Sequence, residues 1–283
     1  MMTDGDVSAR ERAEKSAASI DGNLAGHVAI VELLRAQQLV PPRSLVARVF
    51  GLSPLSTETQ ALYRGVVGEI EVGEALDRLG PDWRVLHALP VDVDSADIDH
   101  LVIGPAGVFI VMTKNHSGLN VWASQRTFMV AGIRYPHIRN MESEMGRAER
   151  ILSSASGRPV EVAGILAVVA PKSLIVRERH RDVAVLAANT VVPWLLRHSR
   201  SLAPAEVSTI TAAAGLASTW FPADEQSDQP ESVRERFEEL RSDVRKVWRT
   251  QLAWAIGISI LGVGSFAVIT YSILMNALGS FGF

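Results

Sequence analysis

The chain has 283 residues, a formal net charge of −3 and no cysteine. That length allows one sizeable domain with extensions. The charge excludes a generic polyanion binder, and the lack of cysteine excludes disulfides, thiolate zinc sites and cysteine nucleophiles and suits a reducing compartment.

Residues 1–22 are polar, Ala/Ser-rich and charged, which predicts disorder, because they offer little apolar surface to offset chain entropy. No basic segment followed by an apolar run opens the chain, so no signal peptide is expected. Residues 23–55 read as a helical extension. Val28, Val31, Leu34 and Leu39 recur at near-helical spacing before Pro41-Pro42, and Ser44 to Gly51 reads as a second, short helix.

The main domain is expected over residues 56–222. Ser56-Thr57-Glu58 supplies an N-cap and a first-turn acid, and Gly80-Pro81 closes the helix. Glu74 falls one turn after Ile70 and two after Val67, beside an apolar row, whereas Glu69, Glu71 and Asp77 are expected to face solvent. An ordinary surface acid is the alternative for Glu74. Trp83 to Val91 reads as a strand, and Asp92 to Ala96 as an acidic turn. From Asp97 to Gly118, two β-branched runs flank Pro-Ala-Gly, the pattern of a β-hairpin. Side-chain alternation puts Ile110, Met112 and Lys114 on one face, with Asp99 near the end of the neighbouring strand. The carboxylate and the ammonium either converge on a site or cap their strands into water.

Two short strands follow, Leu119 to Trp122 and Thr127 to Val130, then a helix from Met141 to Leu152. Val162 to Ala170 is almost wholly apolar, as a central strand covered on both faces should be. Val183 to Ala187 is a further strand, and helices follow at Asn189 to His198 and Pro204 to Trp220. Strands mixed with helices indicate an α/β layer fold.

The hairpin, Ile-Asp-His-Leu-Val-Ile-Gly-Pro-x-Gly-Val-Phe-Ile-Val followed by x-x-Lys-Asn-x-Ser-Gly, resembles the nuclease-related domain (NERD) family. The resemblance runs from about Gly68 to about Trp220, with Gly73-Glu74 standing for the family's helical Gly-Glu. It implies a restriction-endonuclease-like mixed sheet flanked by helices. It also implies roles: Asp99 as central metal ligand, Glu74 as a supporting ligand, Lys114 positioning the nucleophile, and Mg²⁺ or Mn²⁺ as cofactor. The family carries an acid two residues before the lysine, where this chain has Met112. A thioether is a poor Mg²⁺ ligand, so activity is expected to be weakened or lost.

Nucleic acid would need a positive surface. Lys172, Arg177, Arg179, His180 and Arg181 form one candidate, interrupted by Glu178 and Asp182; Arg134, His137, Arg139, Arg147 and Arg150 form a second, interrupted by Glu142, Glu144 and Glu149. A mixed solvated face is the alternative for both. His100 and His116 sit near the hairpin ends, where strand-end hydrogen bonding is the expected role.

Residues 223–250 read as a linker and a juxtamembrane stalk helix. Val233, Phe237, Leu240, Val244 and Val247 make a short a/d seam, which either pairs two copies into a homodimer through residues 233–247 or belongs to a solvated stalk. Leu252 to Leu278 carries no charge, and residues 251–278 are expected to form a single transmembrane helix. Arg241, Arg245, Lys246 and Arg249 precede it and nothing basic follows, which predicts a cytoplasmic main domain at the cell membrane. The sequence thus yields two functional expectations: a membrane-anchored nuclease-like or nucleic-acid-binding protein, or a catalytically inactive scaffold at the cytoplasmic membrane face.

Overall fold

A computed structural model describes residues 24–90, 97–220 and 230–280, of which 230, 261–267 and 273–280 are described in backbone only. The expectations for the N-terminus, the acidic turn and the linker fall outside the described residues. The chain forms two compact units. One holds the described residues up to Leu33 and from Ala61 to Arg234; the other holds Leu34–Gln60 and the residues from Glu235 on.

The first unit is a mixed α/β body, as its alternating strand and helix signals imply. Its larger sheet has five strands in the order β1-β2-β3-β7-β9: Arg84–Leu89, Ile98–Gly104, Gly107–Asn115, Val162–Val169 and Val183–Ala187. β1, β2 and β3 run antiparallel, while β3, β7 and β9 run parallel. A four-stranded sheet has the order β6-β5-β4-β8, from Ile133–Tyr135, Thr127–Val130, Asn120–Ser124 and Ser173–Val176.

Both faces of the large sheet are covered, which is why the middles of its strands are mostly apolar. Alternation divides them cleanly. Leu101, Ile103, Ile110, Met112, Leu166 and Val168 join a core with Phe128, Met141 and Met145. Val102, Phe109, Val111, Ile165 and Ala167 join a second core with Val72, Leu76, Val191 and Leu195. In chain order the helices are α1 (His27–Gln38), α2 (Leu45–Val49), α3 (Thr57–Leu76), α4 (His137–Ser156), α5 (Val191–Arg197), α6 (Pro204–Ala214) and α7 (Pro230–Ser280).

Helix α3 opens as its sequence predicts: Ser56 Oγ accepts from the Thr59 N–H at 3.2 Å, and Thr59 Oγ1 accepts from the Ser56 N–H at 2.9 Å. Two glycines let it lie close to the sheet. A Cβ at Gly73 would stand 2.4 Å from Ala25 Cβ and 3.2 Å from His100 Cε1, and one at Gly68 would stand 3.1 Å from Val169 Cγ2.

In the second unit the expected stalk and the uncharged run belong to one helix, α7, of 51 residues. Phe237 and Val247 of the a/d seam are buried within the single chain. Among the described residues no helix is long and apolar enough to cross a membrane. Side chains of the expected 251–278 span are described only at 251–260 and 268–272.

Candidate active site

The site forms where β2 begins and β3 ends. His100 pairs with Val111 across the hairpin, which brings Asp99 level with Met112. Asp99 shares its face with Leu101, and Lys114 shares its face with Met112, so acid and ammonium lie on one side of the sheet. The Thr113 N–H donates to Asp99 Oδ2 at 2.5 Å. Asp99 therefore turns back onto the strand end and does not simply cap it into water. Desolvation holds its carboxyl above the ordinary range, and the Lys114 charge and the Thr113 N–H oppose that rise.

The helix contributes Glu69, which the sequence reading placed in solvent. Desolvation pushes its carboxyl well above the usual range and the Asp99 charge adds to that; the Gly26 N–H donates to it, and Lys114 offsets part of the effect. Asp97 joins the group. Desolvation, then the charges of Asp99 and Glu144, push its carboxyl to about 6.

Glu74 stands apart from this group. It is exposed, while Val72, Gly73 and Leu76 around it are buried. At about 100° per residue, Glu74 lies roughly 140° around the helix from Glu69, outside the arc that faces the sheet. The Val67–Ile70 row that drew attention to Glu74 is only partly buried; Val66, Val72 and Leu76 mark the true inner face. A second Gly-Glu pair, Gly68-Glu69, was the available signal, since a glycine at the helix–sheet contact puts its neighbour near the strand ends.

On the other side of Lys114 stands an aromatic group. His137 stacks on Tyr135 with centroids 5.3 Å apart and on His116 at 5.8 Å. Desolvation, with the Lys114 charge second, lowers both imidazoles, His137 to about 4. The His137 ring is therefore neutral at pH 7. His100 forms a hydrogen bond near the strand start, as expected, and does so from the interior. It is fully buried, and its Nδ1 lies 2.8 Å from His87 Nδ1, while His87 Nε2 lies 3.0 Å from Asp77 Oδ1. The donor between the two rings follows the tautomer: a His87 that carries its one proton on Nε2 toward Asp77 accepts at Nδ1 from the His100 Nδ1–H. Burial holds His100 well below the ordinary imidazole range.

Among the described residues no group of three or more His, Asp or Glu side chains is arranged to hold a metal ion. Glu69, which feels the Asp99 charge, and Asp99 are the pair that could hold a hard cation keeping most of its waters, the habit of Mg²⁺. Met112, 7% exposed, contributes only a thioether to that face. Lys172, Arg177, Arg179 and Arg181 are all exposed, on or beside β8. Arg181 pairs with Asp182 at 3.7 Å, and Ser124 Oγ donates to Glu178 at 3.5 Å.

Comparison with known proteins bears on the same stretch. An uncharacterized protein of Bacillus anthracis is 35% identical over 95 residues, which are 32% of this chain and 40% of that protein. The chain thus spans less than half the length of this curated relative. No solved structure matches the chain significantly. Residues 64–169, which carry Glu69, Asp99, Met112 and Lys114, match the nuclease-related domain (NERD) family.

Proposed function

We propose that the chain is a membrane-anchored nuclease-related protein whose domain engages nucleic-acid phosphodiesters through Glu69, Asp99 and Lys114 with a divalent cation, Mg²⁺ or Mn²⁺. The observation that carries this reading is the convergence of three charged side chains, from α3, β2 and β3, with a fourth carboxylate, Asp97, within reach of the Asp99 charge. A cation on the two acids would offset their repulsion and the charge of a phosphodiester, and Lys114 would orient the attacking water. Lys172, Arg177, Arg179 and Arg181 would supply phosphate contacts of modest strength, because acids interleave them. The restriction-endonuclease-like fold is part of the same proposal, supported by a hairpin that leads into parallel strands.

Met112 supports a second reading, an inactive interaction module, because a buried thioether stands where the family has an acid. One assay separates the two. The full chain, in detergent, is given labelled DNA and RNA with Mn²⁺, beside Met112→Glu and Lys114→Ala. Weak cleavage that rises about tenfold or more in Met112→Glu and vanishes in Lys114→Ala supports the nuclease reading. No cleavage by the parent or Met112→Glu, both folded, leaves the interaction module.

The membrane anchor rests on the uncharged run from Leu252 to Leu278. As a helix it would reach roughly 40 Å, against a hydrocarbon core of about 30 Å. The arginines and lysine before it would place the domain on the cytoplasmic side of the cell membrane. Alkaline extraction of membranes from expressing cells tests this: a protein released with the soluble fraction is not anchored.

A further inference from the structure

Helix α2 and its flanks carry an apolar surface that the described residues leave bare. Leu45, Val46, Val49, Phe50 and Leu52 are 78, 64, 57, 56 and 57% exposed, and α2 buries no residue at all. An apolar patch of that kind marks an interaction surface.

The patch has a fixed address in the second unit. Trp254 Nε1 donates to the Val49 carbonyl at 2.8 Å, and Gln251 Nε2 donates to the Gly51 carbonyl at 2.8 Å. The Phe50 ring stacks on Trp254 with centroids 5.3 Å apart. Arg43 pairs with Asp243 at 3.6 Å. The α2 segment is therefore clipped to α7 at residues 243–254. That is where the charged surface of α7 gives out: Arg249 is its last charge, and Leu252 opens the uncharged run. The α2 segment touches α7 at Trp254, which is itself part-exposed, and exposed Trp248, Leu252, Arg48, Arg245, Lys246 and Arg249 lie at about the same level along α7. A groove of about 320 Å³ there is lined by Arg43, Arg48, Asp243, Lys246, Val247 and Thr250.

We propose that α2 is an interfacial collar that lies in the surface of an anionic lipid bilayer. Leu45, Val46 and Val49 insert among the upper acyl chains, Trp248 and Trp254 sit at the headgroup level, and the arginines and Lys246 meet lipid phosphates. The inference rests on the reading of α7 as a membrane anchor. Three features favour lipid over a protein partner. The apolar patch is continuous with the uncharged run through the Phe50–Trp254 stack, it lies at the charge boundary of α7, and exposed cations stand at the same level. Amphipathic indoles and basic residues around an apolar face are what a headgroup boundary selects.

The absence of cysteine makes the test direct. Full-length Leu45→Cys, Val46→Cys, Glu235→Cys and Ser265→Cys each receive one environment-sensitive fluorophore and are reconstituted into vesicles of phosphatidylcholine with phosphatidylglycerol. A fraction of the lipid carries a spin-label quencher in the upper acyl chain. Glu235 lies about 25 Å before Leu252 along α7 and reports a position in water. The collar predicts a blue shift and about twofold or stronger quenching at positions 45 and 46 relative to 235, weakened when phosphatidylglycerol is omitted. Quenching at 265 with positions 45 and 46 behaving like 235 overturns the collar and leaves the anchor. No quenching at 265 overturns the anchor reading and the collar with it. Equal quenching at 45 and 46 in pure phosphatidylcholine overturns the requirement for anionic lipid.

Discussion

Glu69 and Glu74 are separated by five residues on one helix, and that separation decides which can reach Asp99. The same helix geometry yields a test. Glu69→Gln should abolish Mn²⁺ binding measured by calorimetry, since it removes one of the two carboxylates of the site, whereas Glu74→Gln should bind as the parent does. Equal binding by both variants would place the cation elsewhere. Asp97 offers a pH test. Its carboxyl is raised from 3.8 to about 6, so the folded state binds the proton more tightly than the unfolded state does. The stability it contributes is present below pH 4 and is lost as pH rises through about 6. Asp97→Asn should therefore be more stable than the parent at pH 7, by about 1 kcal/mol after allowance for solvent screening. The difference should vanish by pH 4. His137 works the other way: its imidazole is lowered from 6.5 to about 4, so its contribution is present above pH 6.5 and falls away as pH drops toward 4. Urea titrations of Asp97→Asn and parent at matched pH cancel the His137 contribution and isolate the acid.

At the scale of elements, the glycines of α3 are not equivalent. Gly73→Ala would press a methyl group into Ala25 and His100, and should cost about 1–3 kcal/mol by overpacking. Gly65→Ala, in the same helix with nothing within 4 Å of its Cβ, should be neutral or stabilise by up to about 1 kcal/mol. Chemical denaturation of the two variants checks both signs. This contrast also shows why the fold was only partly legible. The β2–β3 hairpin lies where its β-branched runs and its Pro-Ala-Gly turn place it, and β7 falls on the apolar run from Val162. Strand β6 was missed because Ile133, Arg134 and Tyr135 are all exposed and carry no alternation, and β8 because a four-residue edge strand gives too short a pattern. Helix α4 runs from His137 to Ser156, longer at both ends than its apolar periodicity, because polar outward positions extend a helix without marking it. The division of the strands into two sheets was illegible for a different reason. Period-two patterning identifies a strand's faces but does not name its neighbour. The site suffered the same limit. Asp99 and Lys114 could be paired because one turn joins their strands, whereas Glu69 depended on how closely α3 approaches, which Gly68 decides.

For the whole molecule, the three charged groups of the site come from α3, β2 and β3, so the site exists only in the folded domain. A cation held there binds the native state alone and must stabilise it by mass action. At a hundredfold excess over Kd the gain is about 2.7 kcal/mol, which for a domain of this size corresponds to a rise of roughly 5–10 °C in Tm. Thermal unfolding of the full chain in detergent, with and without Mn²⁺, measures it. Protons compete for the same oxygens, and the raised carboxyls of Asp99 and Glu69 bring that competition to higher pH than for ordinary carboxylates. The Mn²⁺ shift should therefore shrink as pH falls from 7 to 5, and should be absent at both pH values in Asp99→Asn. Met112→Glu should enlarge it, because a third oxygen donor replaces sulfur beside the cation. A shift that survives in Asp99→Asn would mean that the ion binds outside the β2–β3 site. The converging acids would then be a strained structural cluster, and the domain a scaffold.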